Sequence, residues 1–247
     1  MNALTLVRAH VTMTFLDLVR WPGYVVPTVV FPAMFFVFFD LSFARESSAN
    51  AAFLTLAFMV FAVVGVTFYQ FGVNIALDRG RPWERYLRTL PVTAIERFTA
   101  RIVTAMIFAL ATAAVVALVA VAFTPIHLSL VAWLLVLLYC VAGGVPFVFI
   151  GITIGYWASA RAAMPIATAT NLLLAYAGGL WIPPKLLPPF VQAISPYLPT
   201  REFANLVWSI AGRGSAAPAL LGLATYTVVF AVTAVLVYRR DERTRYA

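Results

Sequence analysis

The stretch that decides the fold is residues 102–160, IVTAMIFALATAAVVALVAVAFTPIHLSLVAWLLVLLYCVAGGVPFVFIGITIGYWASA, which contains no Asp, Glu, Lys or Arg. A transmembrane α-helix needs about 20 consecutive apolar residues. The stretch has room for two such helices, near 103–123 and 130–156, separated by the polar break at 124–127. At this length and hydropathy, helices are the structures that satisfy their own backbone hydrogen bonds in lipid. The stretch therefore predicts two adjacent membrane spans.

The rest of the chain extends this prediction. Of its 247 residues, 63% are apolar and 11% are charged, whereas a soluble domain carries about 25% charged residues. We predict an all-α polytopic membrane protein with six transmembrane helices, forming a single transmembrane domain over residues 1–247. The six spans are predicted near 22–40, 52–74, 103–123, 130–156, 162–181 and 217–237.

The basic residues indicate the orientation of these spans. With an even number of spans, both termini lie on one side. If that side is the cytoplasm, only Arg45, Lys185, Arg201 and Arg213 of the 17 basic residues lie outside, as the positive-inside rule requires. This distribution explains the basic charge without a nucleic-acid partner. The preference for Arg over Lys suggests a GC-rich bacterial genome, so we expect a multi-pass protein of the bacterial cytoplasmic membrane.

Residues 1–20 precede the first span and carry apolar side chains at helical spacing. These are Leu4, Val7, Val11, Phe15 and Leu18. Polar side chains occupy the rest of the helical wheel, which predicts an amphipathic helix lying in the membrane interface.

The connection between spans two and three, residues 75–101, is strongly basic. Pro82 suits the first position of a short helix, which would end before Pro91. Thr93 and Glu96 form a capping box that would begin the third span. The short helix would present Trp83, among other apolar residues, to a partner. Lipid headgroups and a protein groove fit this pattern equally well.

The segment 178–214, on the predicted outer side, is rich in proline. It is too apolar for a solvated loop and too interrupted for a span. We predict short re-entrant helices between spans five and six, with Thr200 capping a helix from Arg201 to about Ala211. Arg201 and Glu202 are interpreted as a surface ion pair.

These features together resemble the type-two ABC transporter permeases, a family of drug, lipid and polysaccharide exporters. The local matches are Asp78-Arg79-Gly80 followed by Leu90-Pro91-Val92-Thr93 and Glu96, and Gly179-Leu180-Trp181-Ile182-Pro183 followed by Pro188, Ser195, Pro196 and Pro199. The resemblance covers essentially the whole chain, because the order of the leader, the six spans, the basic loop and the proline-rich segment also agrees.

The resemblance implies the membrane-spanning half of an ATP-driven exporter. Two ABC ATPase subunits would dock on the cytoplasmic side, and a second permease, identical or related, would complete the transporter. ATP and magnesium would bind the partner ATPase, and this chain would bind no cofactor. The helix that would couple the chain to the ATPase consists of Arg81, Pro82, Trp83, Glu84, Arg85, Tyr86, Leu87 and Arg88. In the proline-rich segment we take Pro183, Phe190 and Pro196 as candidates for an outer gate.

The residues themselves restrict the energy source. The chain has no Gly-rich loop followed by Lys-Ser or Lys-Thr, so it lacks the usual phosphate-binding loop. Its spans hold essentially no ionisable groups of the kind that ion-driven carriers need. No cluster of acids, nucleophiles or metal ligands indicates an enzyme. A membrane-embedded enzyme, a passive channel and a structural membrane subunit stay open as alternatives.

Scattered polar residues in spans two and five are candidates for a substrate pathway. They are Thr67, Gln70, Asn74, Asn171 and Tyr176. Asn171 lies near mid-span, where an interhelical hydrogen bond would explain it equally well. A pathway with almost no charge suits a hydrophobic or amphipathic substrate, such as a drug-like molecule or a lipid.

Overall fold

A computed structural model of the chain describes residues 11–13, 15–16, 19–20, 22–79 and 94–246. Throughout these residues the secondary structure is helical, with short turns and without a β-strand. The predicted coupling helix at 81–89 lies outside the described residues, as does most of the predicted amphipathic helix at 1–20.

Ten α-helices are found in the described residues. In chain order they are α1 (Pro22–Phe35), α2 (Leu41–Ala44), α3 (Ser48–Thr67), α4 (Asn74–Asp78), α5 (Ala94–Phe123), α6 (Leu130–Trp157), α7 (Ala160–Ala177), α8 (Pro189–Ile194), α9 (Pro199–Trp208) and α10 (Ala216–Tyr246). Two π-helical segments, Phe36–Asp40 and Phe68–Val73, join α1 to α2 and α3 to α4. Short 3₁₀ turns occupy Pro184–Leu186, Ser195–Tyr197 and Ser209–Ala211.

Four helical stretches in the described residues are long and apolar enough to cross a membrane. They are Ser48–Asp78, Thr99–Phe123, Leu130–Trp157 and Ala216–Arg243, and they match the second, third, fourth and sixth predicted spans. The all-helical, multi-pass architecture is thereby confirmed, and the count of six spans stays a prediction. The first predicted span corresponds to a shorter apolar helix, Thr28–Ala44. The fifth corresponds to α7.

Local sequence signals explain where these helices begin and end. Ser47, Ser129 and Ser159 each accept a hydrogen bond from the backbone N–H three residues later, which caps α3, α6 and α7. The predicted fifth span ended at residue 181, but α7 ends at Ala177. The chain turns there because Gly179 adopts a left-handed φ of 79°.

The predicted cap of the helix in the proline-rich segment is wrong. α9 begins at Pro199, and Thr200 donates its hydroxyl to the carbonyl oxygen of Leu174 at 2.8 Å instead of capping. The predicted end is confirmed, since the helical path closes at Gly212 with a φ of 73°. Entry of this segment into the outer leaflet stays a prediction.

The core is built around α3, which is almost entirely buried. α1, α5, α6 and α9 pack against it, and α10 lies at the periphery against α6 and α9. Aromatic contacts connect these layers: the rings of Phe53 and Trp208 stack at 4.5 Å, and Trp208 donates its Nε1–H to the Phe53 carbonyl oxygen. The indole thus satisfies its one donor while it fills the core.

Span two and α6 approach each other closely at two glycines of α6. A Cβ atom on Gly151 would lie 2.8 Å from Phe71 Cβ, and one on Gly155 would collide with the Phe71 carbonyl oxygen. Small residues permit such contact, and in lipid close van der Waals packing is a main driving force for helix association. Gly151 and Gly155 therefore form a packing surface of α6 against span two.

Adding a side chain at Gly155 tests this contact. We expect Gly155→Ala to lower the free energy of unfolding by about 1–3 kcal/mol, because the new methyl meets backbone that cannot rotate away. The midpoint of thermal unfolding in detergent measures the effect. Val145→Ile, which enlarges an exposed side chain of the same helix, is the control, and equal midpoints for both variants would contradict the packing assignment.

Candidate functional site

A polar cluster joins three helix ends at the predicted cytoplasmic side. Arg79, directly after α4, forms an ion pair with Asp241 of α10, with 2.5 Å between Nη2 and Oδ1. Its Nη1 donates to the carbonyl oxygen of Gly155 in α6 at 2.6 Å, and its guanidinium lies 5.5 Å from the ring centre of Tyr156. We call these four residues the Arg79 clamp. It brings together the C-terminal ends of spans two, four and six, as expected if these spans cross in the same direction.

The clamp completes the C-terminal end of α6. The last four carbonyl groups of a helix have no partner within that helix, and Gly155 belongs to the final turn of α6. A guanidinium at this end supplies donors and a favourable charge for the helix dipole. The absence of a side chain on Gly155 lets span two come close enough for Arg79 to reach this carbonyl group.

A second ion pair closes the basic loop at its base. Asp78 Oδ2 lies 2.5 Å from Nη2 of Arg101, which belongs to α5. The two residues flank the segment 80–93, which contains the predicted coupling helix. Together the two ion pairs hold the residues at the end of span two: Asp78 is joined to span three through Arg101, and Arg79 is joined to α6 and α10.

Polar side chains inside the membrane region meet where α7 packs against span two. Tyr69 Oη and Thr168 Oγ1 lie 3.0 Å apart, and Tyr69 belongs to the π-helical segment of span two. One turn earlier, a Cβ atom on Gly65 would lie 3.3 Å from Asn171 Nδ2. Single π-helical turns within α-helices often occur at functional sites. This face between span two and α7 is therefore the candidate pathway region.

Four of the five predicted pathway residues fall into three groups. Gln70 accepts a hydrogen bond from Asn74 at 3.1 Å, so the structure brings these two together. Thr67 is fully buried and donates its hydroxyl to the Val64 carbonyl oxygen of its own helix. Tyr176 is half-buried near the C-terminal end of α7.

Asn171 is the most distinctive of the predicted residues. It is only 5% exposed, and within the described part of the chain its Oδ1 accepts no hydrogen bond. The interhelical hydrogen bond considered from the sequence is thus not found for this oxygen. A buried acceptor without a partner costs about 1–3 kcal/mol, so this position is suited to a group that comes from outside the described residues.

The three candidate outer-gate residues lie in or beside three different short elements of the proline-rich segment. Pro183 is half-buried before the turn Pro184–Leu186, Phe190 is largely exposed on α8, and Pro196 lies in the turn before α9. The tighter aromatic cluster at this end is Trp181 with Phe35 and Phe61, whose ring centres lie 6.5 and 5.4 Å from the indole.

The proposed surface ion pair of Arg201 and Glu202 is wrong. The Arg201 guanidinium lies 5.2 Å from the ring centre of Trp208. Glu202 instead faces Gly222 of α10, since a Cβ there would lie 3.0 Å from its Cδ. Burial lowers the pKa of Arg201 and raises the pKa of Glu202, and the opposite charge of the neighbouring residue counteracts each shift. Adjacent residues on a helix point in different directions, which explains why they do not pair.

A family model described as "ABC-2 type transporter" matches residues 5–211, most of the chain. The chain belongs to the ABC-2 type transporter family. It is also similar to the "Putative transport permease YvfS" of Bacillus subtilis (strain 168), with 24% identity over 223 residues that cover 89% of this chain and 91% of the relative. This ABC-2 chain is therefore a transport permease, a membrane subunit of the kind that associates with an ABC ATPase.

The sequence reasoning on this ABC-2 permease missed the pairing at the centre of the Arg79 clamp. Arg79 was noted only as part of a local match, and Asp241 was not singled out. The two residues are 162 positions apart, so no local spacing connects them. The available signal is that Asp241 lies within an arginine-rich C-terminal end, where an acidic residue indicates a basic partner.

Removing the charge of Arg79 tests the clamp. We expect Arg79→Gln to lower the free energy of unfolding by about 1–3 kcal/mol, because Asp241 and the Gly155 carbonyl group lose a charged donor at a largely buried site. Thermal unfolding of the full-length chain in detergent measures this loss. Arg239→Gln, at an exposed arginine of α10, should change little, and an equal response of the two variants would argue against the clamp.

Proposed function

We propose that this ABC-2 permease is the membrane-spanning half of an ATP-driven exporter that moves a hydrophobic or amphipathic molecule, either a drug-like compound or a lipid, out of the cytoplasm. Two ABC ATPase subunits supply the energy and bind the ATP and magnesium. A second permease, identical or related, completes the transporter. Both termini lie in the cytoplasm of a bacterial cell.

The position of the charges carries this proposal. In the four apolar spans, the charged residues are confined to the ends: Asp78 in span two, Arg101 in span three, and residues 239–243 in the last. The polar groups on the inner faces, such as Tyr69, Thr168 and Asn171, are neutral. Ion-driven carriers use ionisable groups within the membrane. No acidic or basic residue lies in the interior of these four spans, which supports a partner as the source of energy for active transport.

The Arg79 clamp supports a mechanical route for that energy. A push on the segment 80–93 would reach α6 through Arg79 and Gly155, and α10 through Asp241. Packed helices carry such motion as rigid elements over the thickness of a bilayer. The Asp78–Arg101 pair would transmit the same displacement to span three.

An exposed aromatic face on α1 and on the π-helical segment that follows it supports both the proposed second permease and the proposed type of cargo. Phe31, Phe38 and Phe39 are about half to three-quarters exposed. The rings of Phe31, Phe35 and Phe39 follow each other at 6.1 and 5.8 Å. An aromatic row of this kind can pack against another helix or against an apolar cargo, whereas a charged polymer would find no partner groups there.

Charge reversal in the coupling helix tests the proposed function. We expect Arg85→Glu with Arg88→Glu, and separately Trp83→Ala, to reduce ATP-dependent transport by about tenfold or more, because each removes contacts that a docked ATPase would use. Uptake of a fluorescent amphipathic compound into inside-out vesicles containing permease and ATPase provides the measurement.

The control is Arg45→Glu, a charge reversal on the predicted outer side. It should leave transport intact. Unchanged coupled transport in both coupling-helix variants would indicate instead that these residues anchor the loop to lipid headgroups. Strict dependence on a hydrophilic polysaccharide as cargo would contradict the proposed substrate class.

Asn171 tests the position of the pathway. We expect Asn171→Leu to raise the KM for an amphipathic cargo by about threefold or more, because an orienting polar group is lost. The amount of ATPase that copurifies with the permease should not change. Thr170→Val, at the adjacent position of α7, is the control, and an unaltered KM for both variants would exclude Asn171 from the pathway.

A further inference from the structure

A small cavity lies between the proline-rich turn and the start of α9. Its volume is about 190 Å³, and it is lined by Pro184, Lys185, Gln192, Ser195, Pro196 and Arg201. It belongs to the end of the helices opposite the Arg79 clamp, because α7 begins beside the clamp and leads to this segment at its other end. The cavity therefore faces the predicted outer side of the membrane.

Two polar groups in the wall of this cavity lack a partner among the described residues. Ser195 is 2% exposed, and its hydroxyl oxygen makes no hydrogen bond. Arg201 holds its Nη1 buried and equally without an acceptor. Buried polar groups in native proteins are nearly always hydrogen-bonded, and an exception calls for a specific reason such as an absent ion or ligand.

The surrounding residues hold Arg201 in this position. Gly179 has a left-handed φ of 79°, and a Cβ there would lie 3.3 Å from Arg201 Nη1 and 2.8 Å from Pro184 Cγ. Trp208 supports the guanidinium from the other direction. The nearest acid in sequence, Glu202, is directed to α10 and does not line the cavity. The charge of Glu202 still acts on Arg201, but no carboxylate lines the cavity beside the guanidinium.

The other lining residues add donors. Lys185, one of only four basic residues on the predicted outer side, also lines the cavity and adds a positive charge to its surroundings. Gln192 uses its Nε2 to donate to the carbonyl oxygens of Lys185 and Leu187, at 3.1 and 2.7 Å, and this fixes the loop around the cavity. An arginine, a lysine and a serine thus line one small space, a set that matches an oxyanion with several acceptor oxygens.

We propose that this cavity is a binding site for a single phosphate group, with Arg201 and Ser195 as hydrogen-bond donors and Lys185 as an additional positive charge. The phosphate can belong to the headgroup of an outer-leaflet lipid or to a free anion. In either case the bound group would hold the proline-rich turn against α9, between spans five and six.

The test uses the full-length chain purified in maltoside micelles, which contain no phosphate. Inorganic phosphate and phosphatidylglycerol are titrated separately by calorimetry, with diacylglycerol as a lipid that lacks the phosphate. We expect Arg201→Gln to weaken binding by about tenfold or more and Ser195→Ala by about threefold, from the strengths of charged and neutral hydrogen bonds. Arg213→Gln is the matched control, since this arginine lies over the ring of Phe53 and does not line the cavity.

Each outcome decides the matter. Binding of phosphatidylglycerol alone identifies a lipid headgroup as the ligand, and binding of inorganic phosphate identifies a free anion. Either result supports the site if Arg201→Gln weakens binding of the probe and Arg213→Gln does not. No binding of either probe, or equal binding by wild type and Arg201→Gln, overturns it. If Arg201→Gln does not fold, Ser195→Ala and the exposed Lys185→Gln decide instead. The assay contains no ATP and measures binding only. A failure to bind phosphate would therefore leave the proposed ATP-driven transport unaffected.

Discussion

The close approach of Gly155 to the backbone of Phe71 is the contact on which the predicted cytoplasmic end of this permease depends. Without a side chain at Gly155, α6 and span two lie against each other along their backbones. That distance puts a free carbonyl group of α6 within reach of Arg79, and the same guanidinium reaches Asp241 of α10. The absence of a Cβ atom at Gly155 therefore permits the whole set of polar contacts that connects the ends of spans two, four and six.

The physical setting explains why small residues and neutral polar groups have this importance. Lipid tails are as apolar as leucine, so burying apolar side chains drives helix association less strongly than it does in water. Close packing and interhelical hydrogen bonds therefore contribute a larger part of the free energy of helix association. In this chain Gly151 and Gly155 provide close packing, and the Tyr69–Thr168 contact provides an interhelical hydrogen bond. The charged residues of the four apolar spans lie at the helix ends, and Asp241 is paired there with Arg79.

The opposite end of the molecule repeats the principle with different residues. A Cβ on Gly178 would lie 2.6 Å from Thr200 Oγ1, and that hydroxyl binds the Leu174 carbonyl oxygen at the end of α7. α9 is thereby attached to α7, and Phe203 fills the space that Gly143 leaves in α6. The proline-rich segment is consequently packed into the helical core, and Arg201 is held beside a cavity as a result.

The sequence by itself determined the helical membrane class, the positions of four apolar spans and the family, because hydropathy, serine caps and motif order are local properties that survive without knowledge of the fold. The tertiary structure alone decided which polar groups meet. Arg79 pairs with a residue 162 positions away, Thr200 bonds to α7 and does not cap its own helix, and the Arg201 guanidinium lies over the ring of Trp208. Each of these depends on the distance and rotation between helices, and those follow from side-chain packing across elements that are remote in the chain.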